Sequence, residues 1–181
     1  MVNPLLEFLL APSPPALAPV VDGDAACAGC GLAGGSPDDY LRARAPAETL
    51  CRVCALGRTA AWEPERVRLL LAPELAQGPL NGVVTLLTAN LLRARAGEPV
   101  PAGIDAVLQA NWLEALQRRA RATAGALPWA ATAPRLRQTL RALPDAHRAA
   151  VMAELAGLRY LPEPADRELA RFFNRRRVLP L

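Results

Sequence analysis

The chain is 181 residues long, with a formal net charge of +4 that comes from 21 arginines, 17 acids and no lysine. It is 52% hydrophobic, mostly alanine and leucine, but only 4% aromatic, which argues against a fold dominated by β-sheet because strands favour β-branched and aromatic residues. Charged residues make up 21%, with both signs mixed, so the composition is not that of a disordered chain. It excludes collagen, a coiled coil and an all-β sandwich, and predicts a mainly α fold.

The charge is distributed unevenly along the chain. Residues 1–41 contain five acids and no arginine, so residues 42–181, with 21 arginines and 12 acids, carry +9. Such asymmetry favours a polyanionic partner, although high-GC coding also enriches arginine at the expense of lysine.

The N-terminal segment is predicted to form a short helix followed by a linker. Leu5–Leu10 is apolar and predicts a docking helix, and the proline-rich Ala11–Pro19 predicts an extended linker. Leu5–Leu10 has no positive region before it and contains Glu7, so no secretory signal is expected. No apolar stretch approaches the ~20 residues of a transmembrane helix, so we expect a cytoplasmic protein with no membrane partner and with reduced thiols.

Four cysteines follow in a pattern typical of a metal site. Cys27 and Cys30 form one C-x-x-C pair, and Cys51 and Cys54 form a second pair after twenty intervening residues. Each pair closes a tight turn whose sulfurs converge, and two such turns supply four tetrahedral ligands. The spacing predicts structural Zn²⁺, because four thiolates leave no open position for a catalytic water. A redox pair, an iron–sulfur cluster and incidental C-x-x-C pairs are the alternatives.

From Pro64 onward, leucine recurs every three or four residues and predicts about five to seven helices. The predicted helical segments are Glu65–Ala72, Leu80–Ala96, Ile104–Thr123, Arg135–Leu143, Asp145–Leu158 and Ala165–Arg176. The predicted architecture is a helical bundle, residues 63–181, preceded by a small four-cysteine, zinc-ribbon-like module within residues 1–62.

The segment Ile104–Thr123 is the clearest amphipathic helix, with one apolar stripe expected to face the core. The stripe consists of Ile104, Val107, Leu108, Trp112, Ala115 and Leu116. Three arginines follow it on the same helix: Arg118, Arg119 and Arg121. They are interpreted either as a solvated helix end that complements the helix dipole or as phosphate contacts.

Other arginines form two further candidate nucleic-acid contacts. Three of them decorate the cysteine module: Arg42, Arg44 and Arg52. The last helix carries Arg167, Arg171 and Arg175 at intervals of four residues, extended by Arg176 and Arg177. Arginine forks suit a sugar–phosphate backbone, while the plainer interpretation is a charged helix surface with Phe172 and Phe173 in the core.

Nothing in the chain predicts catalysis. There is no P-loop, no dinucleotide-binding fingerprint, no H-E-x-x-H and no nucleophile elbow. His147 has no nucleophile at a recognisable spacing and is expected at the surface, and Trp62 and Trp129 are expected to anchor the core. We therefore expect a protein that is not an enzyme.

The order of these features resembles a known family. A leucine-rich helix precedes the motif Cys27–Gly31 (C-x-x-C-G), and a second motif, Cys51–Ala55 (C-x-x-C-A), leads into an arginine-rich helical body. This layout resembles the zinc-finger-containing large subunit of type IV CRISPR effector complexes. The resemblance implies a non-catalytic subunit of an RNA-guided antiviral ribonucleoprotein, whose partners are CRISPR RNA, target DNA and other effector-complex subunits. It also implies a position beside the flanking motif of the target.

Two other functions are compatible with the same residues. One is a zinc-ribbon DNA-binding transcriptional regulator, in which Leu143–Leu158 and Ala165–Arg176 form a helix-turn-helix with Arg171 and Arg175 at the major groove. The other is a zinc-stabilised protein-docking adaptor without nucleic-acid contact.

Overall fold

The computed structural model describes residues 6, 10, 17–20, 26–44, 47–57, 67–101, 105–130, 132–163 and 167–177. Helices account for most of these residues, and two small antiparallel sheets accompany them. The mainly α prediction is confirmed at this level, with short strands that the composition did not predict. In these ranges no helix has both the length and the apolarity needed to span a membrane.

The first sheet frames the cysteine module. Its strands β1 (Leu17–Pro19), β2 (Tyr40–Arg44) and β3 (Ala47–Cys51) pair antiparallel in the order β1-β2-β3. The end of the predicted linker therefore forms an edge strand, while residues 11–16 lie outside the described part. Strand β3 runs directly into the five-residue helix α1 (Arg52–Leu56), so the second cysteine pair lies at a strand-to-helix junction.

The predicted docking helix Leu5–Leu10 lies mostly outside the described residues. Positions 6 and 10 are described, and both are helical. Leu6 is completely buried in the main core, and Leu10 packs against that core.

The second sheet joins distant parts of the chain. Strand β4 (Val67–Leu71) pairs antiparallel with β5 (Leu158–Pro162). The prediction of a helix over Glu65–Ala72 is therefore wrong. Leu69 belongs to one hydrophobic cluster and Leu70 to another, so each face of β4 contributes a buried leucine, while Arg68 and Leu71 are exposed. Apolar residues on both faces obscure the alternation of a strand, and a run this short does not distinguish a strand from a buried helix.

Five longer helices of the described part build the body, and they are α2 (Gln77–Arg95), α3 (Ala106–Ala126), α4 (Ala133–Ala142), α5 (Asp145–Glu154) and α6 (Arg167–Arg177). Side-chain capping fixes the first residue of two of these helices. The Asp105 carboxylate accepts hydrogen bonds from the Val107 and Leu108 amides at the start of α3, and the Thr132 hydroxyl caps α4.

The connection between α5 and α6 does not form the turn of a helix-turn-helix. The predicted helix Asp145–Leu158 stops at Glu154, and the 3₁₀ turn Leu155–Gly157 leads into β5. A paired strand thus separates the two helices, whereas a helix-turn-helix joins them by a turn of three or four residues. The described structure therefore contradicts that interpretation of this segment.

Helix α3 is rotated relative to its predicted orientation. Val107, Leu108 and Trp112 are 68%, 66% and 39% exposed, so the expected core stripe is largely at the surface. Of its members, Leu116 is buried, and Ile104 lies outside the described residues. The helix instead buries Gln109, Leu116, Ala120 and Thr123. The small residues allow α3 to approach β4, where the Thr123 hydroxyl accepts a hydrogen bond from the Leu71 amide at 2.9 Å.

One hydrophobic core extends across the predicted boundary between residues 62 and 63. It contains Leu50 and Val53 from the cysteine module together with Leu136, Phe172 and Phe173 from the helical body. Both phenylalanines are fully buried, as the plainer interpretation of the last helix expects. The module therefore packs as part of the body rather than beside it.

A buried carboxylate ties the last helix to this module. Asp39 is completely buried, and its Oδ1 lies 2.6 Å from Arg175 Nε, while its Oδ2 lies 3.6 Å from Arg176 Nε. The Arg176 guanidinium donates to the Ala33 carbonyl and to the Tyr40 hydroxyl and lies over the Tyr40 ring. Arg176 is only 5% exposed, so its charge is neutralised inside the protein.

Replacing this carboxylate tests how much the connection stabilises the fold. In the variant Asp39→Asn, the buried Arg176 loses its counter-ion, and removing one partner of a buried pair costs about 3–5 kcal/mol. Urea denaturation of the purified protein measures the loss. The exposed neighbour Asp38 supplies the matched control, Asp38→Asn, which we expect to stay within about 0.5 kcal/mol of the unmodified chain. Equal midpoints for the two variants contradict the prediction.

Candidate metal centre

The first knuckle, residues 27–31, is a tight turn held by its own backbone. The Gly31 amide donates to the Cys27 carbonyl at 2.8 Å, and the Cys27 amide donates to the Leu32 carbonyl at 2.8 Å. Gly31 has φ +75°, a left-handed conformation that favours glycine. The Ala28 amide donates to the Thr49 carbonyl of β3, which fixes the turn against the first sheet.

The second knuckle, residues 51–54, uses the start of helix α1. Cys51 is the N-cap residue, and its Sγ accepts a hydrogen bond from the Cys54 amide at 3.5 Å. The Cys51 amide in turn donates to Cys27 Sγ at 3.2 Å, which links the two knuckles. The i, i+3 spacing of a helix start thus directs both sulfurs to the same point.

The four sulfurs form one cluster. The Sγ atoms of Cys27, Cys30, Cys51 and Cys54 all lie within 4.8 Å of one another, and the Cys30 and Cys51 sulfurs are 3.7 Å apart. A tetrahedral zinc with Zn–S bonds of ~2.3 Å requires S–S separations of about 3.8 Å. A disulfide requires ~2.05 Å, and all four cysteines are free. The donor set therefore fits a metal ion such as Zn²⁺.

The protonation of the thiols follows from this crowding. Hydrogen bonds from the Cys30 and Cys51 thiols hold the pKa of Cys27 far below its usual range, whereas the interaction with Cys27 raises the pKa of Cys51 and of Cys54. Four neighbouring thiolates repel one another, so full deprotonation needs a cation among them. Metal binding would therefore release protons from this site.

A second layer of polar groups orients the cluster. Asn81 of α2 is 1% exposed, and its side-chain amide donates to Cys54 Sγ at 3.3 Å and to the Tyr160 hydroxyl at 2.7 Å. The Tyr160 hydroxyl lies 3.0 Å from the Val53 carbonyl, to which it donates. Gln77 fixes the other side of Asn81 by donating to its Oδ1 at 2.8 Å. Burial raises the pKa of Tyr160, so this hydroxyl keeps its proton.

Gln77, Asn81 and Tyr160 were not predicted from the sequence to belong to the site. One signal was present in α2, because Gly82 lies inside the predicted helix Leu80–Ala96, where glycine is unfavourable, and it contacts Cys30 of the first knuckle. A Cβ on Gly78 would lie 2.0 Å from the Gly29 carbonyl oxygen, so α2 can pack against the first knuckle only without a side chain at this position.

Nine of the eleven arginines predicted to contact nucleic acid have described side chains, and their surroundings differ. Five are exposed and form no ion pair within the described residues: Arg42, Arg118, Arg121, Arg167 and Arg171. Four others have intramolecular partners: Arg52 donates to the Asp38 carbonyl, Arg119 forms a two-point ion pair with Glu74, and Arg175 and Arg176 pair with Asp39. The side chains of Arg44 and Arg177 lie outside the described part. Buried Arg176 is therefore part of the internal structure and does not present a surface cation.

The remaining candidate residues are at the positions that the sequence indicated or outside the described part. His147 is exposed, and Trp129 packs against the main core. Trp62 lies outside the described residues.

No protein-family model matches the chain, and no curated protein matches it. The resemblance to type IV CRISPR large subunits therefore stays a prediction.

The first test of the site is its metal content. We expect about one zinc per chain in purified protein, and loss of that zinc in Cys51→Ser. Structural zinc contributes an apparent ~10–16 kcal/mol, so removal by a chelator should unfold the module and lower the thermal midpoint. Metal analysis and circular dichroism measure both effects, with zinc add-back as the control. A metal-free protein with an unchanged melting curve contradicts this assignment.

The second test addresses the hydrogen bond from Asn81. Partners that orient a ligand contribute about 10–100-fold to metal affinity, so Asn81→Ala should weaken zinc binding by that factor in a chelator competition. Asn90 lies on the same helix, is 3% exposed and is not among the polar groups around the sulfurs, so Asn90→Ala is the matched control. A similar zinc affinity in both variants would show that Asn81 does not support the cluster.

Proposed function

We propose that the protein is a zinc-stabilised, non-catalytic subunit of a cytoplasmic RNA-guided ribonucleoprotein, in which exposed arginines bind guide RNA or target DNA. One observation carries this proposal. Within the described residues, five of the predicted contact arginines are exposed and form no ion pair with an acid: Arg42, Arg118, Arg121, Arg167 and Arg171. A polyanion is the ligand that such charges attract, because each phosphate contact releases bound counter-ions.

The arginines that have acidic partners differ from these five, and the difference supports the proposal. Arg119 forms a two-point ion pair with Glu74, which joins α3 to the connection between β4 and α2. Arg176 is buried against Asp39. Some arginines therefore stabilise the fold through intramolecular ion pairs. Others are exposed and have no counter-ion among the described residues.

The family resemblance supports the RNA-guided part of the proposal. The motifs Cys27–Gly31 and Cys51–Ala55 bring the four sulfurs together, which is what a zinc module of that family would need. In this role, guide base pairing supplies the sequence specificity, and the protein contacts phosphates and shape.

A protein-docking role is the second candidate, and one observation favours it. Val107, Leu108 and Trp112 form an exposed apolar surface on α3. Exposed aromatic and aliphatic side chains of this kind are typical of protein interfaces. Inside an effector complex, the same surface would contact a neighbouring protein subunit. As a docking adaptor alone, the protein would need no nucleic acid.

Salt-dependent binding separates the two functions. We expect the protein to bind a fluorescent 20-nucleotide single strand, with an affinity that falls about tenfold or more between 50 and 200 mM salt if two or three phosphates are contacted. Replacing all five exposed arginines by glutamine should remove most of this salt dependence. Arg119→Gln is the control, because that side chain already has an acidic partner in Glu74.

Two outcomes decide against the proposal. Absence of binding to RNA and DNA favours the docking adaptor. Binding that the five replacements leave unchanged overturns the assignment of these arginines as the phosphate contacts. Sequence-specific binding to duplex DNA without RNA favours a transcriptional regulator. Co-purification of the full chain with a guide RNA and a repeated backbone protein is the result that the RNA-guided role requires.

A further inference from the structure

A groove of about 480 Å³ lies between helices α2, α3 and α6. Its floor is apolar and is formed mainly by Leu91, Leu92, Leu113, Ala170 and Phe173. Ligand sites commonly enclose about 300–1,000 Å³, with a few polar groups among apolar ones, so the groove has the size and lining of a binding site. It is separate from the cysteine cluster, and none of the cysteines lines it.

One buried polar group lines this groove without a partner. Thr88 is 6% exposed, and its hydroxyl has no hydrogen-bond partner within the described structure. Buried polar side chains are nearly always satisfied, so an unpaired hydroxyl on a groove wall indicates a missing polar group. A ligand that carries both an apolar face and hydrogen-bonding edges would supply it.

Cations surround the groove. Arg95 lines it directly, about two turns along α2 from Thr88 and on the same helix face. On α3, Gln117 lines the groove, and Arg121 follows four residues later, only about 40° around the helix, so it continues the same face. On α6, Arg167 and Arg171 each stand three residues before a residue of the lining, and such pairs are neighbours on a helix surface.

The acids in the groove do not cancel this charge. Glu163 is paired with Arg68 at 2.5 Å, so its carboxylate is already neutralised. Glu114 is the other acid of the lining, and its carboxylate can accept hydrogen bonds from the exocyclic amino group of a base. Among the lining residues, Arg95 and Glu114 balance each other, so the excess of positive charge comes from the residues beside the groove. There, Arg121, Arg167 and Arg171 outnumber Glu168, which favours an anionic ligand.

We propose that this groove receives one base of a single-stranded nucleic acid, with the base against the apolar floor and the neighbouring phosphates on Arg95 and Arg121. This inference rests on the proposed nucleic-acid function and adds the place where the strand is held. Bases of any sequence present an apolar face, so apolar contact is a general way to hold a strand while arginines follow its backbone.

A charge-neutral pair of variants tests the groove itself. Ala110 is exposed and lines the groove, so Ala110→Leu would narrow it without adding a ring on which a base could stack. Ala115 is exposed on the same helix and does not line the groove, so Ala115→Leu is the matched control. We expect Ala110→Leu to weaken binding of a 20-nucleotide single strand about fivefold or more, because the added side chain would occupy the space of the base and remove its apolar contacts with the groove. Ala115→Leu should stay within about twofold. Thermal midpoints equal to that of the unmodified protein verify that both variants fold.

A second pair tests the phosphate contacts. Arg121 and Arg42 are both exposed and lack an acidic partner within the described residues. Arg42 lies on strand β2 and does not line the groove. Arg121→Gln should therefore weaken binding several-fold more than Arg42→Gln at low salt.

The outcomes distinguish this inference from the function on which it rests. If the unmodified protein binds neither single-stranded RNA nor DNA, the proposed function fails and the groove assignment fails with it. If it binds, but Ala110→Leu and Ala115→Leu have the same affinity, the nucleic-acid function stands and the groove assignment is overturned. An oligonucleotide with abasic sites gives the converse test. Removing the bases should weaken binding to the unmodified protein and should have much less effect on binding to Ala110→Leu.

Discussion

The close contact between helix α2 and the first knuckle is the constraint on which the rest of the structure depends. Gly78 passes so near the Gly29 carbonyl that a single methyl group would lie 2.0 Å from its oxygen. This approach allows Asn81, one turn along α2, to reach Cys54 Sγ and the Tyr160 hydroxyl together. The sulfur cluster, helix α2 and strand β5 therefore meet at one point, and the metal site is part of the core.

Spacing alone was sufficient to predict the sulfur cluster. Two C-x-x-C turns can satisfy one tetrahedral ion whatever surrounds them, so Cys27, Cys30, Cys51 and Cys54 could be assigned without knowing the fold. The groups that orient the cluster could not be predicted from spacing. Asn81 and Tyr160 are 79 positions apart, and only the packing of α2 against β5 shows that they touch.

The hydrophobic periodicity was a less reliable guide to secondary structure and to the buried face where an element packs against more than one neighbour. Val67–Leu71 has apolar residues on both faces because each face meets a different cluster, and this pattern resembles that of a buried helix. On α3, Val107 and Leu108 are more hydrophobic than Gln109 and Ala120, yet the latter pair is buried. Small and polar residues occupy the buried face because they allow close approach to β4, which a hydrophobicity pattern does not measure.

The pairing of β4 with β5 also has a consequence for the order in which the protein folds. Leu71 and Leu158 are 87 positions apart, whereas Cys27 and Cys51 are separated by 24. Closing the longer loop costs about 1 kcal/mol more in chain entropy, before any contact of the second sheet compensates for it. Of these two contacts, the one between the knuckles therefore closes at the lower entropic cost. A metal that joined the knuckles would also give α2 the surface against which Gly78 packs.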